Sequence, residues 1–152
     1  MSDTEKSRSL EQVEAEKFIF REVKNKLGIE LKKNEKIFLL DNQHTYIQPD
    51  FFSEEHRIIG EIFAHIGKPK KAQDNKIAND ILKMLTYEKV FNVEMRKILA
   101  VCDEQEYEKL KGSSVLAESI RRFGVEVMLV PISEDMRMRL EIAQRRQKMV
   151  NE

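Results

Sequence analysis

One cysteine, Cys102, stands in 152 residues, so no disulfide can close within the chain and no cysteine cluster is available for zinc. No histidine lies near Cys102 in sequence to activate its thiol, which reads it as a core residue at a strand end and not as a nucleophile. Long apolar runs are also missing. Nothing approaches the ~20 residues needed to cross a bilayer, and the polar stretch from Met1 to Glu16 has no signal-peptide core. The expectation is an intracellular, cytoplasmic protein. There is no GxGxxG and no P-loop, hence no motif for a small-molecule cofactor. The three histidines, His44, His56 and His65, lack the i, i+4 spacing of a helical zinc site. Net charge is missing as well: Lys+Arg and Asp+Glu both number 27. That balance neither points to nucleic acid nor excludes it, because a neutral total accommodates a basic face opposite an acidic pocket.

What is present is a core-forming share of hydrophobic residues, 41%, beside 36% charged residues. Length and composition indicate one globular domain over 10–152, preceded by a polar, aperiodic and disordered Met1 to Ser9. A helix is expected from Leu10 to Leu27, stopped by Gly28, with Leu10, Val13, Phe20, Val23 and Leu27 on its apolar face. Glu16 falls within that face and needs a partner. Three strands should follow as a meander, Lys36–Asp41, Thr45–Phe52 and Arg57–His65, joined by turn-like links that expose His44 and His56. A second helix is expected over about Lys71 to Thr86, with Ile77, Ile81, Met84 and Leu85 inward. Glu94–Cys102 reads as a strand, and Asp103 and Ser113 or Ser114 are candidate caps of two short helices. Val125–Ile132 reads as a last strand, and a C-terminal helix runs from Ser133 to about Met149. No repeat or low-complexity linker interrupts this order. The sum is a mixed α/β layer architecture, αβββαβααβα, with a mixed sheet flanked by helices.

Chemistry is concentrated in Pro49-Asp50-Phe51-Phe52 and, eleven residues beyond Asp50, in Gly60-Glu61-Ile62-Phe63. A carboxylate among isoleucines and phenylalanines is costly unless a hydrogen bond or a cation compensates. Two carboxylates brought together by a hairpin are a common way to hold a hard ion such as Mg2+. The second helix adds Gln73, Lys76, Asp80 and Lys83 as a polar stripe, of which Gln73 and Lys76 should lie nearest the strand bearing Glu61. Asp80 and Lys83 read rather as a solvated helix face. His65, four residues after Glu61 in a strand, shares its face and is a candidate contact to phosphate or to a metal-bound water.

These residues together resemble the restriction-endonuclease-like nucleases, the PD-(D/E)XK superfamily. Their core of helix, three-stranded meander, helix and strand is similar in order and spacing to Leu10 through Cys102, about two-thirds of the chain. Pro49-Asp50 stands for the first acidic element and Glu61 for the second. The tract from Glu61 to Lys68, with Gln73, Lys76, Asp80 and Lys83 after it, also resembles a group of small bacterial members. The family's lysine, two residues after the second acid, is replaced here by Phe63. Some branches carry that lysine on the following helix, which makes Lys76 the first candidate and Lys68 the second.

The resemblance implies Mg2+-dependent hydrolysis of DNA phosphodiesters, with Mn2+ able to substitute. Asp50 and Glu61 would hold the metal, helped by a backbone carbonyl near Ile62 or Phe63. Lys76 would orient or deprotonate the attacking water, Gln73 would position Lys76 or a phosphate, and Glu16 would accept a hydrogen bond from a metal-bound water. By analogy a homodimer would cut both strands. Other readings stand beside it. The same fold without cleavage would be a nucleic-acid-binding or protein-interaction module, and Phe63 in the lysine position favours that alternative. In a third reading Glu16, Asp50 and Glu61 only share hydrogen bonds within an interaction protein, Glu16 through a salt bridge to a nearby lysine. Of the basic clusters, Lys68 to Lys71 adjoins the proposed site and is favoured for phosphate contact over Arg121-Arg122 and Arg145-Arg146.

Overall fold

The computed structural model describes residues 9–39, 42–67 and 70–151. The expected disordered start therefore lies outside the described residues except for Ser9. That residue is the cap of the first helix, α1 (Leu10–Leu27), its hydroxyl accepting from the Gln12 amide at 3.1 Å. Gly28 ends α1 in the left-handed region at φ 66°, where a side chain would be strained. The buried spine of α1 is Ala15, Ile19 and Val23, spaced four apart. This is a rotation of the expected face: Leu10 is exposed, while Val13, Phe20 and Leu27 are only partly covered.

The expected three-stranded meander is replaced by two separate sheets. Short strands β1 (Lys32–Lys33), β2 (Ile37–Leu39), β3 (Asn42–Ile47), β4 (Phe51–Ser53) and β5 (Ile58–Phe63) follow α1. β2 and β3 form a hairpin of their own, while β1, absent from the sequence expectation, pairs with β4. The strand expected over Thr45–Phe52 breaks at Gln48, Pro49 and Asp50 because Pro49 has no N–H to continue a ladder. His44 consequently lies in β3 and not in a turn, although it is exposed, as is His56.

The main sheet has the order β1-β4-β5-β6-β7, with β6 (Arg96–Val101) and β7 (Val125–Leu129) joined in parallel to β5. β1, β4 and β5 pair antiparallel, so the sheet is mixed. Helix α2 (Lys71–Phe91) makes the crossover from β5 to β6. It runs five residues past the expected end because Tyr87 is buried against Phe52, their ring centroids 5.3 Å apart. Two short helices, α3 (Glu104–Leu110) and α4 (Val115–Arg122), precede β7, and α5 (Glu134–Asn151) ends the described chain. Ser114 caps α4 as expected, accepting from the Ala117 amide. Asp103 stands at the N-cap of α3 as expected, but its side chain makes no cap bond; the carboxylate accepts instead from the Gly67 amide and from Arg137, both at 3.0 Å.

Three layers result. One face of the sheet (Phe51, Ile58, Ile62, Ile98, Ala100) packs on Ala15, Ile19 and Val23 of α1 and Leu140 of α5. The other (Phe52, Ile59, Phe63, Leu99, Val101) packs on Ile77, Ile81 and Met84 of α2, Leu110 of α3 and Ile120 of α4. Cys102, just past β6, is buried on the α1 side of the sheet, and burial pushes its thiol up to about 12, as suits an inert core residue. No helix among the described residues is long and apolar enough to cross a membrane.

Candidate functional site

β4 and β5 align Phe51 with Gly60 and Phe52 with Ile59. Continuing that register by one residue brings Asp50 opposite Glu61. Pro49 ends the ladder there, and Asp50 lies just outside β4, its carbonyl accepting from the Asn34 amide at 3.3 Å. Its Oδ2 accepts from the Ile62 amide at 2.7 Å, a bond that locks the acid to the neighbouring strand. The two acids expected to meet therefore do meet.

Glu61 alternates with Ile59 and Phe63 on the α2 face of β5 and is 2% exposed. Burial first, then the adjacent Asp50 and Asp80 charges, push its carboxyl up to about 9. The cation that reaches it is Lys83, not Lys76: Lys83 Nζ lies 3.2 Å from Glu61 Oε1 and 3.1 Å from Asp80 Oδ1. Both contacts are ion pairs without hydrogen-bond alignment, and Glu61 Oε1 remains a buried acceptor with no directed donor. Burial works against the Lys83 ammonium, but Glu61 and Asp80 outweigh it and hold its pKa above the usual lysine value.

Asp80 is 3% exposed and shared by two lysines, since Lys76 Nζ lies 3.2 Å from its Oδ2. The solvated-face reading of Asp80 and Lys83 is thereby overturned. A signal for this was present in the sequence: Asp80 falls between Ile77, Ile81 and Met84 at helical spacing, inside the apolar stripe, as Glu16 does in α1. Lys76 otherwise lies over the Phe63 ring, 5.9 Å from its centroid. The aromatic ring in the expected lysine position thus packs beneath a lysine from the helix.

Beside this cluster opens a cleft of about 720 Å3. Its floor is the chain from Ile62 to Gly67. Gln12 and Glu16 of α1 form one wall, and Lys70, Gln73 and Lys76 at the start of α2 another. Gln144, Arg145 and Lys148 of α5 contribute a third. Glu16, Gln73 and Lys76 thus converge on one space, as expected. The Asp50 and Glu61 side chains do not line it; the cleft meets them through Ile62, which follows Glu61 and holds Asp50. Gln73 Oε1 accepts from the Lys70 amide at 2.7 Å, and Glu16 Oε1 accepts from Gln12 Nε2 at 3.4 Å.

His65 lines the cleft with its ring stacked on Phe63, 5.6 Å away. Its Nδ1 is buried without a partner, and burial lowers its pKa, favouring the neutral imidazole. The expected Lys68-Pro69 contact lies outside the described residues, whereas Lys70 lines the cleft and Lys71 is exposed. Arg121 and Arg122 are both engaged by Glu118, and Arg146 by Glu11, while Arg145 faces the cleft.

No protein-family model, curated protein or solved structure matches the chain. Among the described residues no group of three or more His, Cys, Asp or Glu side chains forms a ready cage for a metal. The donor set that does exist is two carboxylates, Asp50 and Glu61, one held by the Ile62 amide and the other with a buried undirected oxygen. That set fits Mg2+, which takes one or two carboxylates and keeps several of its waters.

Proposed function

We propose that this chain is a Mg2+-dependent phosphodiesterase acting on DNA, built on a restriction-endonuclease-like core. The observation that carries the reading is the Asp50–Glu61 carboxylate pair on adjacent strands, held beside Ile62, which lines a cleft edged by cations. Lys70, Lys76, Arg145 and Lys148 come from two different walls of that cleft, as contacts to successive phosphates require.

In this reading Asp50 and Glu61 hold the metal, with the Ile62 carbonyl as the third protein donor. What Mg2+ supplies there when bound is acidity for an attacking water and neutralisation of charge on the phosphoryl oxygens. Lys76 binds and orients the phosphate from α2. Gln73 fixes the start of α2 through Lys70 and so sets the position of Lys76. Glu16, on the opposite wall, accepts a hydrogen bond from the water network. Phe63 excludes solvent behind Lys76.

Mg2+ at ten times its Kd should raise stability by about 1.4 kcal/mol and Tm by about 4 °C. Glu61→Ala should abolish the shift. Burial and the neighbouring Asp50 and Asp80 charges raise the Glu61 carboxyl well above its ordinary range, so the metal competes with a proton and affinity should strengthen as pH rises from 6 to 9. Calorimetry showing no Mg2+ or Mn2+ binding at millimolar concentrations overturns the reading.

One observation favours a second reading. Glu61 is almost wholly enclosed and already faces Lys83, which suits a fold that grips DNA without cutting it. The two part on a labelled duplex with Mg2+: the first cuts it, whereas the second retards it intact, with affinity falling as salt rises.

A further inference from the structure

Lys76 and Lys83 answer the acidic cluster of Asp50, Glu61 and Asp80, and the inner of these two cations is placed in an unusual way. Lys83 Nζ is 3.2 Å from Glu61 Oε1 and 3.1 Å from Asp80 Oδ1, so a single ammonium bridges a strand carboxylate and a helix carboxylate. Its contact with Asp80 is one turn along its own helix, an i, i+3 pair that survives any movement of Lys83 away from the sheet. Its contact with Glu61 crosses between layers, from helix to strand. Part of the Lys83 side chain, 39%, remains open to solvent, whereas Glu61 and Asp80 are enclosed. The ammonium therefore has somewhere to go, and the carboxylates do not.

We infer that Lys83 is a built-in counter-ion of the Asp50–Glu61 pair, occupying the divalent-cation position without metal and withdrawing to Asp80 when a metal binds. This rests on the metal-dependent reading above and adds the residue that competes with the ion. A divalent cation and an ammonium cannot share one enclosed carboxylate without mutual repulsion, so one must leave. Asp80 is the second seat. Its other oxygen is held by Lys76, which anchors the carboxylate while Lys83 moves. The chain Lys76–Asp80–Lys83–Glu61 thus couples the cation position to a lysine lining the cleft. The enclosed carboxylates stay compensated in both states, which an acid pair alone would not achieve.

The full chain tests this in two measurements. Calorimetric titration of Mg2+ into wild-type and Lys83→Met protein should show the variant binding about tenfold more tightly, since no ammonium has to be displaced. Amine labelling of the wild-type protein, read by peptide mass spectrometry, should show Lys83 modified several-fold faster with Mg2+ than without, the exposed Lys89 serving as an unchanged control. Equal or weaker Mg2+ binding by a folded Lys83→Met protein overturns the counter-ion role. So does unchanged Lys83 labelling in Mg2+-saturated wild-type protein, a result that needs no variant to fold. Either of these leaves the metal-dependent reading standing. Absence of Mg2+ and Mn2+ binding in both proteins removes the two together.

Discussion

Glu106, in the first turn of α3, is 1% exposed, and neither of its carboxylate oxygens has a hydrogen-bond partner. Burial pushes its carboxyl up to about 7; Lys109 pulls against that while Asp74 and Asp103 add to it. Lys109 itself is spent on Asp74, at 2.7 and 2.9 Å. The folded state thus prefers Glu106 protonated, and its contribution fades as pH rises through about 7. Glu106→Gln should raise stability by about 1 kcal/mol at pH 8 and leave it unchanged at pH 5, as urea denaturation at the two pH values would register. A stabilisation of equal size at both would mean that packing, and not charge, decides the effect. Residues of this kind were the least legible in the sequence. Glu106 and Lys83 lie among ordinary charged helix residues, and only burial distinguishes them from solvated neighbours.

At the scale of elements, the β4–β5 pair decides whether Asp50 meets Glu61. Gly60 is the residue that lets it form: a Cβ there would overlap the Phe51 ring packed across the strand pair. Gly60→Ala should cost about 2–3 kcal/mol of unfolding free energy and weaken Mg2+ binding with it, because relief of the overlap shifts Asp50. Denaturation at fixed pH alongside calorimetry checks both effects, and an unperturbed Tm would contradict the packing. Helix identities and most boundaries could be read from periodicity and end signals, as with Gly28 and Ser114, whereas the Ser9 cap was not. Strand partnership could not. A run such as Thr45–Phe52 reads as one strand until Pro49 is weighed, and a two-residue strand such as β1 has no periodicity to detect.

For the whole molecule, the shifted groups divide by pH window. Glu11, Glu118 and Glu126 have lowered values through their arginine partners or backbone bonds, so they lose their contribution only in acid. His65, lowered by burial, costs stability below its ordinary range. Between pH 7 and 9 the large carboxyl shifts are those of Glu61, raised to about 9, and of Glu106 on its upper limb. Both folded values exceed the unfolded ones, so the native state binds more protons and unfolding free energy must fall as pH rises. The expected loss is about 2 kcal/mol from pH 7 to pH 9 without metal, and Glu61→Gln should remove most of it. Denaturant midpoints that stay level across that range in the wild type would contradict the enclosed, proton-bearing Glu61.

By itself the sequence determined the mixed α/β layer architecture, the helices, the Gly28 stop and the Ser114 cap, and the candidates Asp50, Glu61, Glu16, Gln73 and Lys76. These follow from local pattern, and local pattern needs no neighbours. Only the tertiary structure decided which cation answers the acids. Lys76 and Lys83 are two turns apart on one helix with the same local chemistry. The crossing of α2 over β5 brings one to Glu61 and leaves the other over Phe63 at the edge of the cleft.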